Sequence, residues 1–469
     1  MKLFAALEAV FDSGSIHGLS HITNRSKHPA ERCFWLLVCL FAWLMTYATM
    51  KANWDRYEHN AVSFLLETDY IRWNSPFPAF SICEKDTQSK ISEAAKEIYG
   101  PDRNLNIEIF VRDIAFFDGT CGTCRDKCRY LLNCTGDLEY IAKTTRKTCQ
   151  DLIHDCEWLG QPFDCCSEFL PLQTEHGPCF SINSANTERL NNSVAPLDFI
   201  VNRTTGPGKL TFMTDGDVYL FRHSPEDVPM INHPPWERAT INSGSEFKWS
   251  FYVREIVNDA ELIMLRLEQR KCRFPDENNL QSYRAYSYSG CLVESRSKKQ
   301  LQLCGCIDHF RPKINGAKSC DSDGLSCLTE YSDELRNARY ECLDSCVEPE
   351  YDTVFKKNWF RPRAGGEKPM VKIHLELADL PNLRFRRIVV RTMLDLVVGM
   401  GGAFGLFLGA SLLSTLEILF SFHVSRAVVV LFVVGSVRVI LWDGFLVGQM
   451  IVAFKTVSSA RCMSVENDL

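Results

Sequence analysis

The sequence predicts a membrane protein in which two transmembrane helices flank one large, disulfide-rich α+β extracellular domain. Two charge-free runs near opposite ends of the chain, Cys33–Met50 (18 residues) and Leu396–Leu416 (21 residues), are close to the length of a spanning helix. Between them lie 18 of the 21 cysteines, a density typical of an oxidising compartment. The mild net charge of −6 argues against a nucleic-acid partner, which would require a strongly basic face.

Residues 1–32 are predicted to form a cytoplasmic N-terminus, and residues 33–50 the first transmembrane helix. The positive-inside rule agrees with this orientation, because three cations precede the span: Arg25, Lys27 and Arg32. The run begins far from the first residue and no small-residue cleavage site follows it. A permanent span is therefore favoured over a cleaved signal anchor.

Residues 51–390 are predicted to form one extracellular unit, since the segment contains no internal repeat and no low-complexity linker. Strand-like stretches such as "KLTFMTDGDVYLF" and "EFKWSFYVREIV" mix with helix-like ones such as "EAAKEIYG" and "CLTEYSDELRNARYECL", which favours an α+β domain. Three sequons provide candidate glycosylation sites: Asn133, Asn191 and Asn202.

The extracellular cysteines are even in number and would suit nine disulfides, but sequence alone does not give their connectivity. The candidate disulfide cysteines are Cys83, Cys121, Cys124, Cys128, Cys134, Cys149, Cys156, Cys165, Cys166, Cys179, Cys272, Cys291, Cys304, Cys306, Cys320, Cys327, Cys342 and Cys346. Adjacent Cys165 and Cys166 cannot easily pair with each other. The stretches 121–128 and 304–306 have the cysteine spacing of metal ligands, but an oxidised domain favours disulfides over zinc. No metal or cofactor is predicted.

Enzyme motifs are absent from the sequence: we find no G-x-S-x-G, no H-E-x-x-H and no P-loop. The chain is therefore predicted not to be an enzyme. Histidines that titrate near neutral pH are candidates for acid sensing, although ordinary surface or hydrogen-bonded histidines are the favoured interpretation: His154, His176, His223, His233 and His309.

The second apolar run differs from a simple anchor, because the stretch "GMGGAFGLFLGASLLSTLE" contains five glycines. Each glycine costs roughly 1 kcal/mol relative to alanine in a helix interior, which indicates that bare backbone is needed here. Residues at positions i, i+4, i+7, i+11 and i+14 share one face of the predicted helix: Asp395, Gly399, Gly402, Leu406 and Gly409.

Seven motifs occur in order along the chain: "SIHG", "FPAFSIC", "GPCFSIN", "KCRFPDENNL", "LCGCIDHFRP", "CLDSCVEPEYD" and "GGAFGLFLGASLLSTLEIL". In these motifs and in its layout the chain resembles the degenerin/epithelial sodium channel family, and its middle domain looks most like the pickpocket branch. The resemblance extends from about residue 15 to residue 420.

The resemblance implies a trimeric, voltage-independent, amiloride-blocked channel of the plasma membrane that conducts sodium ions through a pore on the second span, residues 391–420. The trimer would contain one or several kinds of related subunit. Gly409, Ala410 and Ser411 match the family's Gly-x-Ser selectivity filter. Glycines let helices approach closely and an interrupted helix frees carbonyls to replace ion hydration. The alternative is a small-residue packing face in an ordinary anchor.

Several residues near the filter acquire expected roles from the resemblance. The helical stripe would line the pore, but many relatives carry an acidic residue where this chain has Gly399. Asp395 is expected to supply the missing negative ring, or else to cap the helix or pair with Arg391. Glu417 matches a carboxylate at the inner mouth of the pore. Val398 replaces a residue that is usually small, which would alter gating or be normal for this branch.

The resemblance also assigns gating roles outside the second span. His17 and Gly18 match the cytoplasmic His-Gly gating motif, in which glycine permits a re-entrant turn and histidine supplies ring hydrogen bonds. Trp54 is a candidate for transmitting motion of the extracellular domain to the pore, although interfacial tryptophan is common in anchors.

The tail, residues 421–469, is more apolar than the short polar terminus usual in the family. Arg438 and Asp443 divide it into charge-free pieces of at most 11 residues, too short to span a bilayer. An extension of the pore helix followed by an interfacial segment is favoured over a third span within 427–454 or an abnormal transcript.

The sequence thus predicts a pore-forming subunit gated by an extracellular ligand, acid or force. The alternative is a non-conducting accessory or chemosensory receptor subunit of a heteromeric channel.

Overall fold

The computed structural model describes residues 17–24, 26–86, 88–101, 105–124, 137–187, 199–360, 370–411, 413–414 and 416. The chain divides into two units: residues 62–389 form one, and the two ends of the chain form the other. Glu417, the tail 421–469, Cys128, Cys134, Asn133 and Asn191 lie outside the described residues.

The described helices and strands are numbered here in chain order. The α-helices are α1 (Leu19–Thr23), α2 (Pro29–His59), α3 (Gln88–Tyr99), α4 (Leu105–Ala115), α5 (Leu138–Thr145), α6 (Cys149–Leu152), α7 (Cys165–Glu168), α8 (Leu267–Arg270), α9 (Tyr288–Cys304), α10 (Ser322–Glu330), α11 (Ser332–Asn337) and α12 (Met393–Leu408). The strands are β1 (Val62–Glu67), β2 (Ser75–Pro76), β3 (Ala79–Glu84), β4 (Ile153–Trp158), β5 (Gln161–Phe163), β6 (Leu170–Thr174), β7 (Gly177–Ile182), β8 (Ile200–Val201), β9 (Lys209–Asp215), β10 (Val218–His223), β11 (Arg238–Ile241), β12 (Ser245–Asn258), β13 (Cys272–Arg273), β14 (Asp344–Ser345), β15 (Glu350–Phe360), β16 (Met370–Leu377) and β17 (Arg384–Val389).

The largest sheet of the central unit has the order β1-β17-β12-β16-β9-β4-β5, and β15 pairs with β12 as well. β12 is parallel to β16 along its first half and parallel to β17 along its second half. Its alternation of apolar and polar residues places Phe247, Trp249 and Phe251 on one buried face. The predicted strands in "KLTFMTDGDVYLF" and "EFKWSFYVREIV" are present as β9, β10 and β12.

A second sheet, with the order β11-β10-β3-β7-β6, is antiparallel throughout. Its side chains and those of the larger sheet contribute to one hydrophobic core, which includes Phe80 and Ile82 of β3 and Trp249 of β12. Every residue of β3 is buried. The two sheets thus share one hydrophobic core, and several helices pack around a separate one.

Those helices form a second core with cysteine-bridged loops, built on Ile91, Phe110, Ile141 and Leu325. The predicted helix in "EAAKEIYG" is present within α3, but the predicted helix in "CLTEYSDELRNARYECL" ends at Asn337 and the chain continues without helix. The central unit is therefore of the α+β class.

The described residues contain eight disulfides: Cys83–Cys179, Cys121–Cys124, Cys149–Cys166, Cys156–Cys165, Cys272–Cys346, Cys291–Cys342, Cys304–Cys327 and Cys306–Cys320. Adjacent Cys165 and Cys166 bridge to different partners, as their spacing predicts. The sulfurs in the metal-like spacings 121–124 and 304–306 are all bound in disulfides. Thiolate ligands for zinc are thus absent from these described stretches.

The unit formed by the chain ends contains α1, α2 and α12. In the described part of the chain, α2 is the one helix long and apolar enough to cross a membrane: it has 31 residues, and Phe34, Phe41 and Leu44 are exposed on its surface. α12 has 16 residues and ends at Leu408. The predicted second span over 391–420 is therefore interrupted, rather than one continuous helix.

Candidate functional site

The start of α12 is fixed by a reciprocal capping box between Thr392 and Asp395. Oγ1 of Thr392 accepts a hydrogen bond from the Asp395 N–H at 3.2 Å, and Oδ2 of Asp395 accepts from both N–H and Oγ1 of Thr392 at 2.9 Å. This arrangement satisfies backbone donors that a helix start otherwise leaves unpaired. The structure thus places the Asp395 carboxylate in the helix cap, one of the two alternatives to the pore ring, while the residue remains exposed.

One face of α12 packs against α2. Leu396 and Met400 are buried there with Tyr57 of α2, and Trp54 packs half-buried against the same cluster. The Trp54 and Tyr57 rings have centroids 6.1 Å apart. Trp54 therefore contributes to the joint between the two helices.

The helical stripe lies on a different face of α12. Asp395, Gly402 and Leu406 are exposed in the single chain, and Leu406 has 79% of its surface accessible. Gly399 is the exception, because a Cβ atom at this position would lie 3.1 Å from Nδ2 of Asn53 on α2. The absence of a side chain at Gly399 thus lets α12 approach α2, while the rest of the stripe is left uncovered by the described residues.

Val398 lies outside this stripe on the helix surface and is 65% exposed. One turn further along, a Cβ atom added to Gly402 would meet no heavy atom of the described residues within 4 Å. The exposed faces of α12 therefore combine bulky apolar residues with bare backbone.

The helix stops at Gly409, which adopts the left-handed conformation with φ 61° and ψ 16°. The Ala410 N–H reaches back to the Phe404 carbonyl at 3.3 Å, and the Ser411 N–H donates to Oγ of Ser414 at 3.2 Å. Neither donor continues the i to i−4 pattern of an α-helix. The Leu406 and Phe407 carbonyls thus lose their usual helical donors at the predicted filter, whereas the Gly405 carbonyl still accepts from the Gly409 N–H at 3.1 Å.

A second cap follows the break at once. Oγ of Ser411 accepts a hydrogen bond from the Ser414 N–H at 3.1 Å, and residues 413, 414 and 416 are helical. The Gly409–Ala410–Ser411 segment therefore lies between a helix C-terminus and a new helix start. The carbonyl end of α12 carries a partial negative charge, which favours a cation near this point.

The predicted gating motif lies directly against the break. The His17 N–H donates to the Leu408 carbonyl at 3.2 Å, and a Cβ atom on Gly409 would lie 1.6 Å from Nδ1 of the His17 ring. The imidazole thus occupies the space that a side chain at Gly409 would fill.

Gly18 turns the chain beneath this contact. It has φ 85°, and a Cβ atom there would lie 2.8 Å from Sγ of Cys39 and 3.5 Å from the Trp35 ring on α2. Left-handed backbone and close approach both favour glycine. The His17–Gly18 turn is therefore held between α12 and α2.

The histidines proposed as acid sensors are mostly buried and hydrogen-bonded. Burial lowers the pKa of His176, His223 and His309, and lowers that of His233 to about 3. Each has a backbone carbonyl within hydrogen-bonding distance of a ring nitrogen. These four side chains are thus held neutral near pH 7, in agreement with the interpretation that they are ordinary hydrogen-bonded histidines and not acid sensors.

Of the three sequons, Asn202 falls within the described residues. Its Oδ1 accepts hydrogen bonds from the Thr204 and Thr205 N–H groups at 2.8 and 2.9 Å, and its Nδ2 donates to Oδ1 of Asn74 at 3.0 Å. This is an Asx turn on a surface loop. The side chain is partly exposed there.

Sequence reasoning assigned roles to His17 and Gly409 separately and missed their contact, since about 390 residues separate them. It also missed Asn53 opposite Gly399 and Ser414 as the reciprocal cap of Ser411. The Thr-x-x-Asp pattern at 392–395 is a readable capping signal that identifies the helix start. A contact between distant segments has no comparable local signal.

Comparison with known proteins identifies the family. Residues 10–421 match the family described as amiloride-sensitive sodium channel. The human protein "Bile acid-sensitive ion channel" is 24% identical over 87% of this chain and 83% of its own length. "Pickpocket protein 19" of Drosophila melanogaster is 22% identical over 87% and 89%, and "Sodium channel protein Nach" of Drosophila ananassae is 22% identical over 88% and 85%.

A solved structure of a proton-activated chloride channel aligns with 83% of this chain and 96% of its own, at 7% identity and a TM-score of 0.30, too low to support an inference. The family and its named members are membrane ion channels and not enzymes. Because the match at residues 10–421 covers most of the chain and includes both α2 and the Gly409–Ser411 break, this protein belongs to the amiloride-sensitive sodium channel family.

Proposed function

We propose that the chain is a pore-forming subunit of a trimeric, voltage-independent, sodium-preferring channel of the plasma membrane that amiloride blocks. Residues 1–32 and the tail 421–469 would be cytoplasmic, and residues 51–390 extracellular. Sodium ions would pass the stripe from Asp395 to Gly409 and then the Gly409–Ser411 filter.

One observation carries this proposal: α12 is interrupted at Gly409, between two caps, with the His17–Gly18 turn packed against the break. An anchor helix gains nothing from two caps and a re-entrant turn in the middle of an apolar run. An ion pathway does gain, because backbone carbonyls released from helical pairing can replace the hydration shell of a cation.

The decisive experiment is whole-cell recording of the chain expressed alone, with sodium or potassium outside and with or without amiloride. We expect an amiloride-sensitive current that is carried better by sodium than by potassium. Surface labelling of the same cells separates a silent channel from a protein that does not reach the membrane. A protein at the surface that carries no current when acid, amphipathic carboxylates and membrane stretch are each applied contradicts a homomeric pore.

A cysteine pair tests the position of the filter. Ser411 is exposed and Ser414 is buried, so Ser411→Cys should render the current sensitive to thiol-reactive cadmium or silver ions, whereas Ser414→Cys should react far less. Equal sensitivity of the two variants and the parent would place the filter elsewhere.

The gating stimulus is proposed to act on residues 51–390 as a ligand, acid or force. One relative is named for sensitivity to bile acids, so amphipathic carboxylates belong among the ligands to test on this chain. Tags at each terminus test the topology: labelling of a C-terminal tag on intact cells would favour a third crossing within 427–454.

A non-conducting accessory subunit is the second candidate, favoured by the glycine at position 399 and the exposed valine at 398 where related channels carry other residues. Co-expression with a conducting relative distinguishes the two functions. An accessory subunit alters the current of the co-expressed relative. Introducing Ser411→Cys into this chain then leaves the ion selectivity and metal block of that current unchanged.

A further inference from the structure

A cavity of about 870 Å³ lies wholly within the central unit, where the loop that follows β8 meets β12 and the turn between β16 and β17. Asn202, the asparagine of the sequon that falls within the described residues, lines this cavity. Pockets of about 300–1,000 Å³ enclose molecules of drug size, and two linked sugar rings are of that size. Room for the first sugars of an N-linked glycan therefore lies beside the residue that would carry it.

The side-chain amide of Asn202 is tied to the wall of the cavity. Its Nδ2 donates to Oδ1 of Asn74 at 3.0 Å, and Asn74 lies in the chain between two lining residues, Trp73 and Ser75. Glycosylation replaces one amide hydrogen of Nδ2 and leaves the other, so this hydrogen bond is compatible with a sugar on the same nitrogen. A sugar on Asn202 is thus attached at the wall, on an amide whose orientation Asn74 fixes.

The charges around the cavity suit a neutral ligand with many hydroxyl groups. Two arginines and two aspartates line it: Arg203, Arg254, Asp352 and Asp379. Nε of Arg254 donates to Oδ2 of Asp352 at 2.9 Å, so these two charges already neutralise each other. A hydroxyl group both donates and accepts hydrogen bonds, and a sugar can therefore use a lining that offers no net charge to an anion or a cation.

Two aromatic side chains supply apolar faces for sugar rings. Trp73 and Tyr252 both line the cavity, and Tyr252 is 45% exposed. The guanidinium of Arg384, which does not line the cavity, covers one face of the Trp73 ring at 4.3 Å from the centroid. The C–H face of a sugar ring is apolar, so packing it against an aromatic ring removes apolar area from water.

We propose that Asn202 carries an N-linked glycan and that its first two N-acetylglucosamine rings pack in this cavity against Trp73 and Tyr252. The inference rests on the proposed extracellular placement of residues 51–390. Transfer of the glycan forms a bond between Nδ2 of Asn202 and C1 of the first sugar. It breaks the bond from C1 to the diphosphate of a lipid-linked oligosaccharide, and the amide proton leaves with that diphosphate. The packed glycan then joins the loop after β8 to the turn that leads into β17.

The first test measures how well the glycan is protected. The full-length chain from human cells is treated with peptide-N-glycosidase F, which releases N-linked glycans and converts the asparagine to aspartate. Mass spectrometry of the Asn202 peptide then follows this sequon separately from the other two. We expect slow release from the native protein and complete release after denaturation. An unmodified Asn202, or equal release from native and denatured protein, overturns the proposal.

Matched variants show whether the cavity is responsible for the protection. Tyr252→Ala and Trp73→Ala should each release the glycan from native protein several-fold faster than the parent. Tyr252→Phe keeps the ring and should behave like the parent. Trp236, 64% exposed, does not line the cavity, so Trp236→Ala should also release at the parental rate. Parental protection in both Tyr252→Ala and Trp73→Ala contradicts packing in the cavity.

A second measurement leaves the cavity residues unchanged. Thr204→Ala destroys the sequon but keeps Asn202 and the backbone N–H that donates to its Oδ1 at 2.8 Å. In hydroxyl-radical labelling of the native protein, Tyr252 and Trp73 should be oxidised several-fold more in Thr204→Ala than in the parent, and Trp236 equally in both. Equal oxidation of Tyr252 and Trp73 in the two proteins overturns the proposal.

These measurements are independent of conduction. A protected glycan supports the cavity site whether or not the same protein carries current. An amiloride-sensitive current from a chain with an unmodified Asn202 contradicts the site and leaves the proposed pore intact.

Discussion

Gly409→Ala tests the contact on which the candidate site is built. Alanine at φ 61° costs about 1–2 kcal/mol, because the left-handed conformation places Cβ too close to the backbone. The new Cβ would also lie 1.6 Å from Nδ1 of His17, so the ring must leave and the His17–Leu408 hydrogen bond is lost, at about 1 kcal/mol. The native turn is destabilised by about 2–3 kcal/mol in total, which lowers its population relative to alternatives roughly 30- to 150-fold.

The assay is sodium current divided by the amount of protein at the cell surface. Gly409→Ala should reduce this ratio, at most by the roughly 30- to 150-fold change in the equilibrium of the turn, whereas Gly401→Ala should leave it near the parent's value, because no heavy atom of the described residues lies within 4 Å of a Cβ atom there. His17→Gly removes the collision but not the backbone strain, so in that background Gly409→Ala should cost a smaller fraction of the current than it costs in the parent. Parental current in Gly409→Ala, or an equal fractional loss of current with and without the His17 side chain, would refute the reasoning.

Three further predictions concern charge. Asp395→Asn should lower single-channel conductance at low salt, with the difference narrowing at high salt as the field is screened; equal conductance at low salt would assign the carboxylate to capping alone. Burial holds the pKa of His233 at about 3, below its usual value near 6.5, so the unfolded state alone takes up this proton as the pH falls. As the pH falls from 6.5 toward 3, the free energy of unfolding of the parent should therefore decrease by about 1.4 kcal/mol per pH unit more than that of His233→Gln. Parallel pH profiles of the melting temperature in the two proteins would contradict this. Glu175 is fully buried between Arg296 and Arg311, at 2.5 and 2.8 Å, and Glu175→Gln should cost about 3–5 kcal/mol in thermal stability of the full-length protein; a loss under 1 kcal/mol would show that the two arginines find other partners.

Local signals in the sequence account for part of the local geometry. The helix stop at Gly409 agrees with the interruption expected from its glycines, and capping was one of the alternatives for Asp395, although Thr392 as its partner was not predicted. The pore-lining role of the stripe stays a prediction. Disulfide pairing did not follow, because Cys83 and Cys179 are 96 residues apart and nothing local links them. The packing of His17 on Gly409 could not be predicted either, because it depends on how the N-terminal segment packs against the end of α12.

The pairing of β1 with β17 has a consequence for biosynthesis. Residue Val62 on β1 lies opposite Val389 on β17, more than 300 residues later in the chain. At a synthesis rate of about 5–20 residues per second, roughly 15–60 s pass between the synthesis of β1 and that of β17, its neighbour in the large sheet. Phe64, Leu65 and Leu66, each half exposed even in the finished fold, are unpaired during that interval. The lumen of the secretory pathway must therefore shield this strand, and a chain that stops short of Arg384 exposes it permanently to aggregation or to quality control.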